Sequence, residues 1–126
     1  IVMDATDNLH ARYLINDACV KLGKPFVYGS ICEFCGQVSV FNYQNGPTYR
    51  DLFEYNDEIE NFSQPLGVIG ALPGIVGSLQ ANEAIKIILE KPGVLSGKLL
   101  TIDILNNTYL TFAIRKKGRE EESLFK

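Results

Sequence analysis

A short run near the start of the chain, Asp4-Ala5-Thr6-Asp7-Asn8, has the residue types of a cation or phosphate site. A carboxylate placed where an apolar strand ends and a helix opens sits where open α/β sheets bind ligands. Asp7 suits magnesium, a hard cation that takes oxygen ligands and often bridges to nucleotide phosphates. Arg12, one turn into the helix, carries a planar guanidinium able to clasp a phosphate. The same spacing fits a plainer reading, in which Asp7 or Asn8 caps the helix and Arg12 is solvated.

A second candidate is the glycine-rich stretch from Gly67 through Gly70 and Gly74 to Gly77. Small residues let another backbone come close; tight packing of a helix on a sheet asks for the same residues. Gly36-Gln37 offers either a polar contact or simply the start of a strand. The third candidate is Cys32-Glu33-Phe34-Cys35. A redox pair of this spacing normally opens a helix, which lowers the thiol pKa, whereas this one leads into a strand. A zinc site would need two further ligands, and His10 is the only histidine. Accidental proximity or a packing role is therefore expected for Cys32 and Cys35, and Cys19, on an apolar stripe, is expected in the core.

These residues need elements to position them. Apolar residues at Ala11, Leu14, Ile15, Ala18, Cys19 and Leu22 predict a one-sided helix after Asp7-Asn8, stopped by Lys21, Gly23 and Pro25. A strand is expected from Pro25 to Gly29, and another from Gly36 to Tyr43 with Val38 and Val40 on one face. Gln44-Asn45-Gly46-Pro47 reads as a turn, with Thr48 to Phe53 as the hairpin partner. The acidic stretch from Glu54 to Pro65 reads as a mobile loop. A second long helix is expected over about 75–90, its stripe made by Val76, Leu79, Ala84, Ile87 and Ile88 and widened by Ile75 and Ile85. Two closing strands follow, Lys98 to Ile104 and Thr108 to Ile114, and then a charged, disordered tail over 115–126. This order implies an α/β sheet that begins parallel and ends antiparallel, in one domain spanning 1–114.

Composition agrees. The 126 residues are 46% hydrophobic and 21% charged, with a net charge of -3, typical of a globular domain. The acidic balance argues against nucleic acid as a partner, and no apolar run reaches the roughly 18 residues needed to span a bilayer. Three cysteines do not suggest a secreted disulfide framework, so a cytoplasmic location is expected. The chain opens on Ile1 within what reads as the end of a buried strand, as expected for a piece of a longer protein.

Taken together, the blocks Asp4 to Asp17, Gly23-Lys24-Pro25, Gly29-Ser30, Gly36 to Phe41, Gly67 to Lys86 and Leu95 to Leu100 resemble a known family. Their order and spacing are similar to the second half of the adenylation domain in the molybdopterin-synthase and thiazole-pathway sulfur-carrier adenylyltransferases, within the ubiquitin-activating superfamily. The resemblance covers roughly residues 1 to 114. It implies a three-layer Rossmann-like sheet with two long helices, and a homodimer. It further implies an enzyme that uses ATP and magnesium to adenylate the C-terminal glycine of a ubiquitin-like sulfur carrier, opening that carboxylate to attack by sulfur. By position, Asp7 would contact magnesium, Asn8 the nucleotide, and Arg12 would support the site. Gly67, Gly70 and Gly74 would line a groove for the carrier's extended tail.

The departures from the family are equally specific. Many relatives hold a structural zinc with two cysteine pairs, the first in a Pro-x-Tyr-Arg-x-Leu-Phe block. Here that block reads Pro47-Thr48-Tyr49-Arg50-Asp51-Leu52-Phe53, and 115–126 holds no cysteine, so the zinc is expected to be absent. Ser63 stands where many relatives place a loop cysteine, and a serine cannot form a persulfide or disulfide. There is no Gly-x-Gly-x-x-Gly phosphate loop in the chain, so it is expected to be inactive alone. A non-catalytic member that docks a ubiquitin-like partner is the alternative; a dinucleotide-binding dehydrogenase fragment fits the later blocks poorly.

Overall fold

The computed structural model describes residues 1–54 and 67–117. Five strands form one sheet in the order β1 (Val2–Met3), β2 (Phe26–Cys32), β3 (Cys35–Phe41), β4 (Lys98–Asp103) and β5 (Thr108–Ala113). The first pair is parallel and the other three are antiparallel. Helix α1 (Leu9–Leu22) links β1 to β2, the short α2 (Tyr49–Leu52) follows β3, and α3 (Ala71–Ile88) precedes β4.

The strands alternate, and each face finds its own cover. Phe26, Tyr28, Phe41 and Leu99 on one face pack with Tyr13 and Cys19 of α1 and Tyr49 of α2. Val38 and Ile102 on the other pack with Leu72 and Val76 of α3. The result is helix, sheet, helix: three layers, as expected. Close approach of α3 is set from the sheet side. A Cβ added at Gly36 would lie 2.6 Å from Val76 Cγ2, and one at Gly29 would collide with the Gln80 amide.

Three expectations are corrected. The inward residues of α1 are Arg12, Tyr13, Asn16 and Cys19, whereas Leu14 and Leu22 are 59% and 67% exposed. Polar groups take the inner face because each finds a partner there: Asn16 Oδ1 accepts from the Tyr49 N–H at 2.9 Å, and Arg12 pairs with Asp4. Helix α3 starts at Ala71 rather than near Ile75, so most of the glycine-rich run is helical. Its buried side is Leu72, Val76, Gln80 and Glu83, while Ile85 and Ile88 face solvent. The segment Thr48 to Phe53 is not a strand. Thr48 and Asp51 form a capping box, with the Thr48 N–H donating to Asp51 Oδ2 at 2.7 Å, and this starts a helical turn. The second neighbour of β3 is instead β4, registered from Cys35 opposite Asp103 to Val38 opposite Leu100.

Candidate nucleotide site and its relatives

The loop between β1 and α1 is held from within. Asp4 Oδ1 accepts from the Thr6 N–H at 2.9 Å and from the Thr6 hydroxyl at 2.7 Å. Asp4 Oδ2 accepts from Arg12 Nε at 3.0 Å. The Arg12 guanidinium also donates to the Thr6 carbonyl at 3.1 Å and lies over the Tyr28 ring, 5.5 Å from its centroid. From the far side of the sheet, Gln80 Nε2 donates to the Asp4 carbonyl at 2.8 Å. Asp4, Arg12 and Gln80 are buried and each has a partner, so the loop is fixed at modest cost.

This scaffold leaves Asp7 at the surface. The cap of α1 is Asn8, whose Oδ1 accepts from the Ala11 N–H at 2.7 Å, so the Asp7 carboxylate is not used for capping. Asp7, Asn8 and Arg12 all line one cavity of about 860 Å³, whose other walls include Gly29, Cys32, Val68, Pro73 and Gln80. It opens beyond the C-terminal end of β1, where α/β sheets receive ligands. The three residues singled out in the sequence therefore meet. Arg12, however, is 7% exposed and directed to Asp4, so its visible task is to hold the loop.

Gly67, Gly70 and Gly74 do not line this cavity, although Val68, Pro73, Val76 and Gly77 of the same stretch do. An added Cβ at any of the three would meet nothing within 4 Å, so packing against the sheet does not require them. Gln37 lies within β3 and accepts a hydrogen bond from the Tyr28 hydroxyl at 3.0 Å. Cys19 is buried, and burial raises its thiol pKa. Ser63 and most of the acidic stretch lie outside the described residues.

Residues 1–123 match the ThiF family. The chain belongs to the ThiF family. A "probable molybdopterin-synthase adenylyltransferase" from Pyropia yezoensis is 48% identical over 117 residues, covering 90% of this chain and 31% of the algal protein. An "adenylyltransferase and sulfurtransferase MOCS3" from Aedes aegypti is 49% identical over 119 residues, covering 93% of this chain and 27% of the mosquito protein. The chain thus spans less than a third of the length of these relatives. Among solved structures, E. coli MccB with ATP superposes with a TM-score of 0.74 over 91% of this chain and 36% of that one, at 13% identity. That likeness speaks for the fold.

Within the ThiF family frame, the position of the first expected cysteine pair is informative. Thr48 and Asp51 occupy it, and their capping box supplies the helical turn. Asp51 Oδ1 also accepts from the Lys117 N–H at 3.0 Å, which ties the segment after β5 to α2. Lys116 Nζ donates to the Asn45 carbonyl at 2.7 Å. The start of the tail expected to be disordered is therefore bonded to the body as far as Lys117; 118–126 lie outside the described residues. Gln80 and Glu83 were given no role from sequence, although both follow Leu72 and Val76 at helical spacing and only their polarity hid the stripe.

Proposed function

We propose that this chain is part of an ATP-dependent adenylyltransferase that activates the C-terminal glycine of a ubiquitin-like sulfur-carrier protein. The observation that carries the reading is the cavity in which Asp7, Asn8 and Arg12 converge beyond β1, in a chain whose relatives are named adenylyltransferases. Asp7 is the residue to hold magnesium, since it presents a hard oxygen ligand at the cavity while Asn8 caps the helix. Bound there, the ion would neutralise charge on the nucleotide phosphates. Asn8 borders the nucleotide, and Arg12 supports the site by fixing the Asp4–Thr6 turn that presents Asp7.

Gly67, Gly70 and Gly74 offer open space beside the cavity wall formed by Val68 and Pro73, which suits an extended carrier tail. A homodimer and a cytoplasmic location belong to the same reading. The test is ATP–pyrophosphate exchange by the full-length protein with its carrier. Exchange that depends on both partners supports the proposal. Carrier binding without exchange would instead favour a non-catalytic docking protein. The 126-residue chain alone, with no glycine-rich phosphate loop, is expected to give no exchange.

A further inference from the structure

Cys32 and Cys35 sit directly opposite each other across the β2–β3 hairpin, the last pair of the ladder, with only Glu33 and Phe34 between them. Directly opposed residues point to the same face of a sheet, with Cα atoms about 4.5–5.5 Å apart, within the span a disulfide bridges. Both thiols are free and exposed. The turn that carries them is clamped on two sides. The Glu33 N–H donates to the Gly67 carbonyl at 3.1 Å, and the Ile69 N–H donates to the Glu33 carbonyl at 3.2 Å. On the other side, the Ile104 N–H donates to the Phe34 carbonyl at 3.0 Å. Glu33 takes the left-handed conformation the tight turn requires, with φ 55°.

We propose that Cys32 and Cys35 form a dithiol–disulfide site, built into the wall shared by two cavities. Both cysteines line a cavity of about 600 Å³ that also exposes Leu110 and Phe112, and Cys32 in addition lines the one that holds Asp7. A metal is the poorer occupant. Two thiolates are half of a tetrahedral set, and among the described residues no group of three or more potential ligands surrounds a common point.

The co-reactant is a low-molecular-weight disulfide such as oxidised glutathione. One cysteine thiolate attacks a sulfur of that disulfide, forming a mixed disulfide and releasing one small thiol, which takes up the proton lost by the cysteine. The second thiolate attacks the protein-side sulfur, closing the Cys32–Cys35 bond and releasing the second small thiol. The two cysteines are oxidised, and the small disulfide is reduced to two thiols. Because the hairpin holds the two cysteines opposite each other, the second step outruns capture of a second small molecule.

The test is to expose the reduced whole chain to excess oxidised glutathione, then alkylate under denaturing conditions and map the peptides by mass spectrometry. The expected product has lost two alkylatable thiols at Cys32 and Cys35, carries no glutathione, and still alkylates at Cys19. Cys32→Ser and Cys35→Ser should each accumulate a single stable glutathione adduct on the remaining partner. Closure should be about tenfold or more faster in the folded chain than in urea, since the fold pre-organises the pair. Wild-type chain carrying two adducts, joining to a second copy, or staying reduced would each overturn the proposal. So would equal rates in native and unfolded chain. None of these readings depends on nucleotide or carrier.

Discussion

Arg12 Nε lies 3.0 Å from Asp4 Oδ2, with the Asp4 side chain wholly withdrawn from solvent and that of Arg12 only 9% exposed. This one pair joins the end of β1 to the first turns of α1 and so fixes the loop that carries Asp7. Removing one partner of a buried ion pair leaves the other charge uncompensated, at a cost of about 3–5 kcal/mol. Arg12→Ala should lower unfolding stability by that amount in urea titrations. Arg12→Lys should recover little of it, because a single ammonium cannot reach the carboxylate and the Thr6 carbonyl in the same fork. A loss under about 1 kcal/mol, the scale of an exposed pair, would show that the interaction is not holding the loop.

That pair also marks where sequence reasoning ran out. The strands were legible because Val38 and Val40 alternate with neighbours of the opposite face and because Gly23 and Pro25 punctuate α1. The inner face of α1 was not, because apolar periodicity points to Leu14 and Leu22 while the folded chain buries Arg12 and Asn16. Their partners, Asp4 and the Tyr49 N–H, belong to other elements, and a periodicity argument cannot see such pairings. The same blindness turned Thr48–Phe53 into a strand. Its helical turn depends on the Asp51 side chain reaching back to Thr48, a capping signal that outweighs the local apolar pattern. At the site, Asp7 and Asn8 could be read from strand-to-helix placement, but the division of labour between them needed coordinates.

Asp7 and Arg12 should therefore fail differently when changed. Asp7 is exposed and outside the capping bond, so Asp7→Asn should leave stability within about 0.5 kcal/mol of wild type. In the full-length protein the same change should reduce ATP–pyrophosphate exchange by tenfold or more, about 1.4 kcal/mol or greater. Raised magnesium should restore part of the lost rate. Unchanged exchange would remove Asp7 from the metal role, and a large fall in stability would mean that its carboxylate is structural.

Asp51 joins two segments through its two carboxylate oxygens, Oδ2 to the Thr48 N–H and Oδ1 to the Lys117 N–H. Asp51→Ala should destabilise the chain by about 1–2 kcal/mol, the range for loss of a helix cap. It should also free the segment after β5, read as faster amide exchange at Lys117. Asp51→Asn, which keeps an acceptor oxygen but loses the charge, should fall between the two. Thr48→Cys combined with Asp51→Cys should not create a zinc site, because 115–126 contains no cysteine to complete it. Stoichiometric zinc in that double variant would show that the two further ligands come from elsewhere in the chain.

Alkaline pH should unfold the chain through its buried phenols. Burial pushes the Tyr49 hydroxyl well above its ordinary value of 10.0, the neighbouring Tyr28 adds to this, and the Arg12 guanidinium opposes it only in part. Tyr28 is raised in the same direction, again chiefly by burial. A folded chain that keeps these protons to higher pH than the unfolded chain is favoured in full below about pH 10, and loses that advantage as pH rises through the raised folded values. Urea-unfolding free energies should begin to fall near pH 9, where the unfolded Cys19 thiol ionises and the buried one does not, and fall more steeply above about pH 10, with part of the tyrosinate absorbance delayed until unfolding. Tyr49→Phe removes one such proton, so the slope above pH 10 should decrease by about 1.4 kcal/mol per pH unit at most. An unchanged slope would mean that Tyr49 ionises without opening the cluster it forms with Tyr13, Phe26 and Phe41.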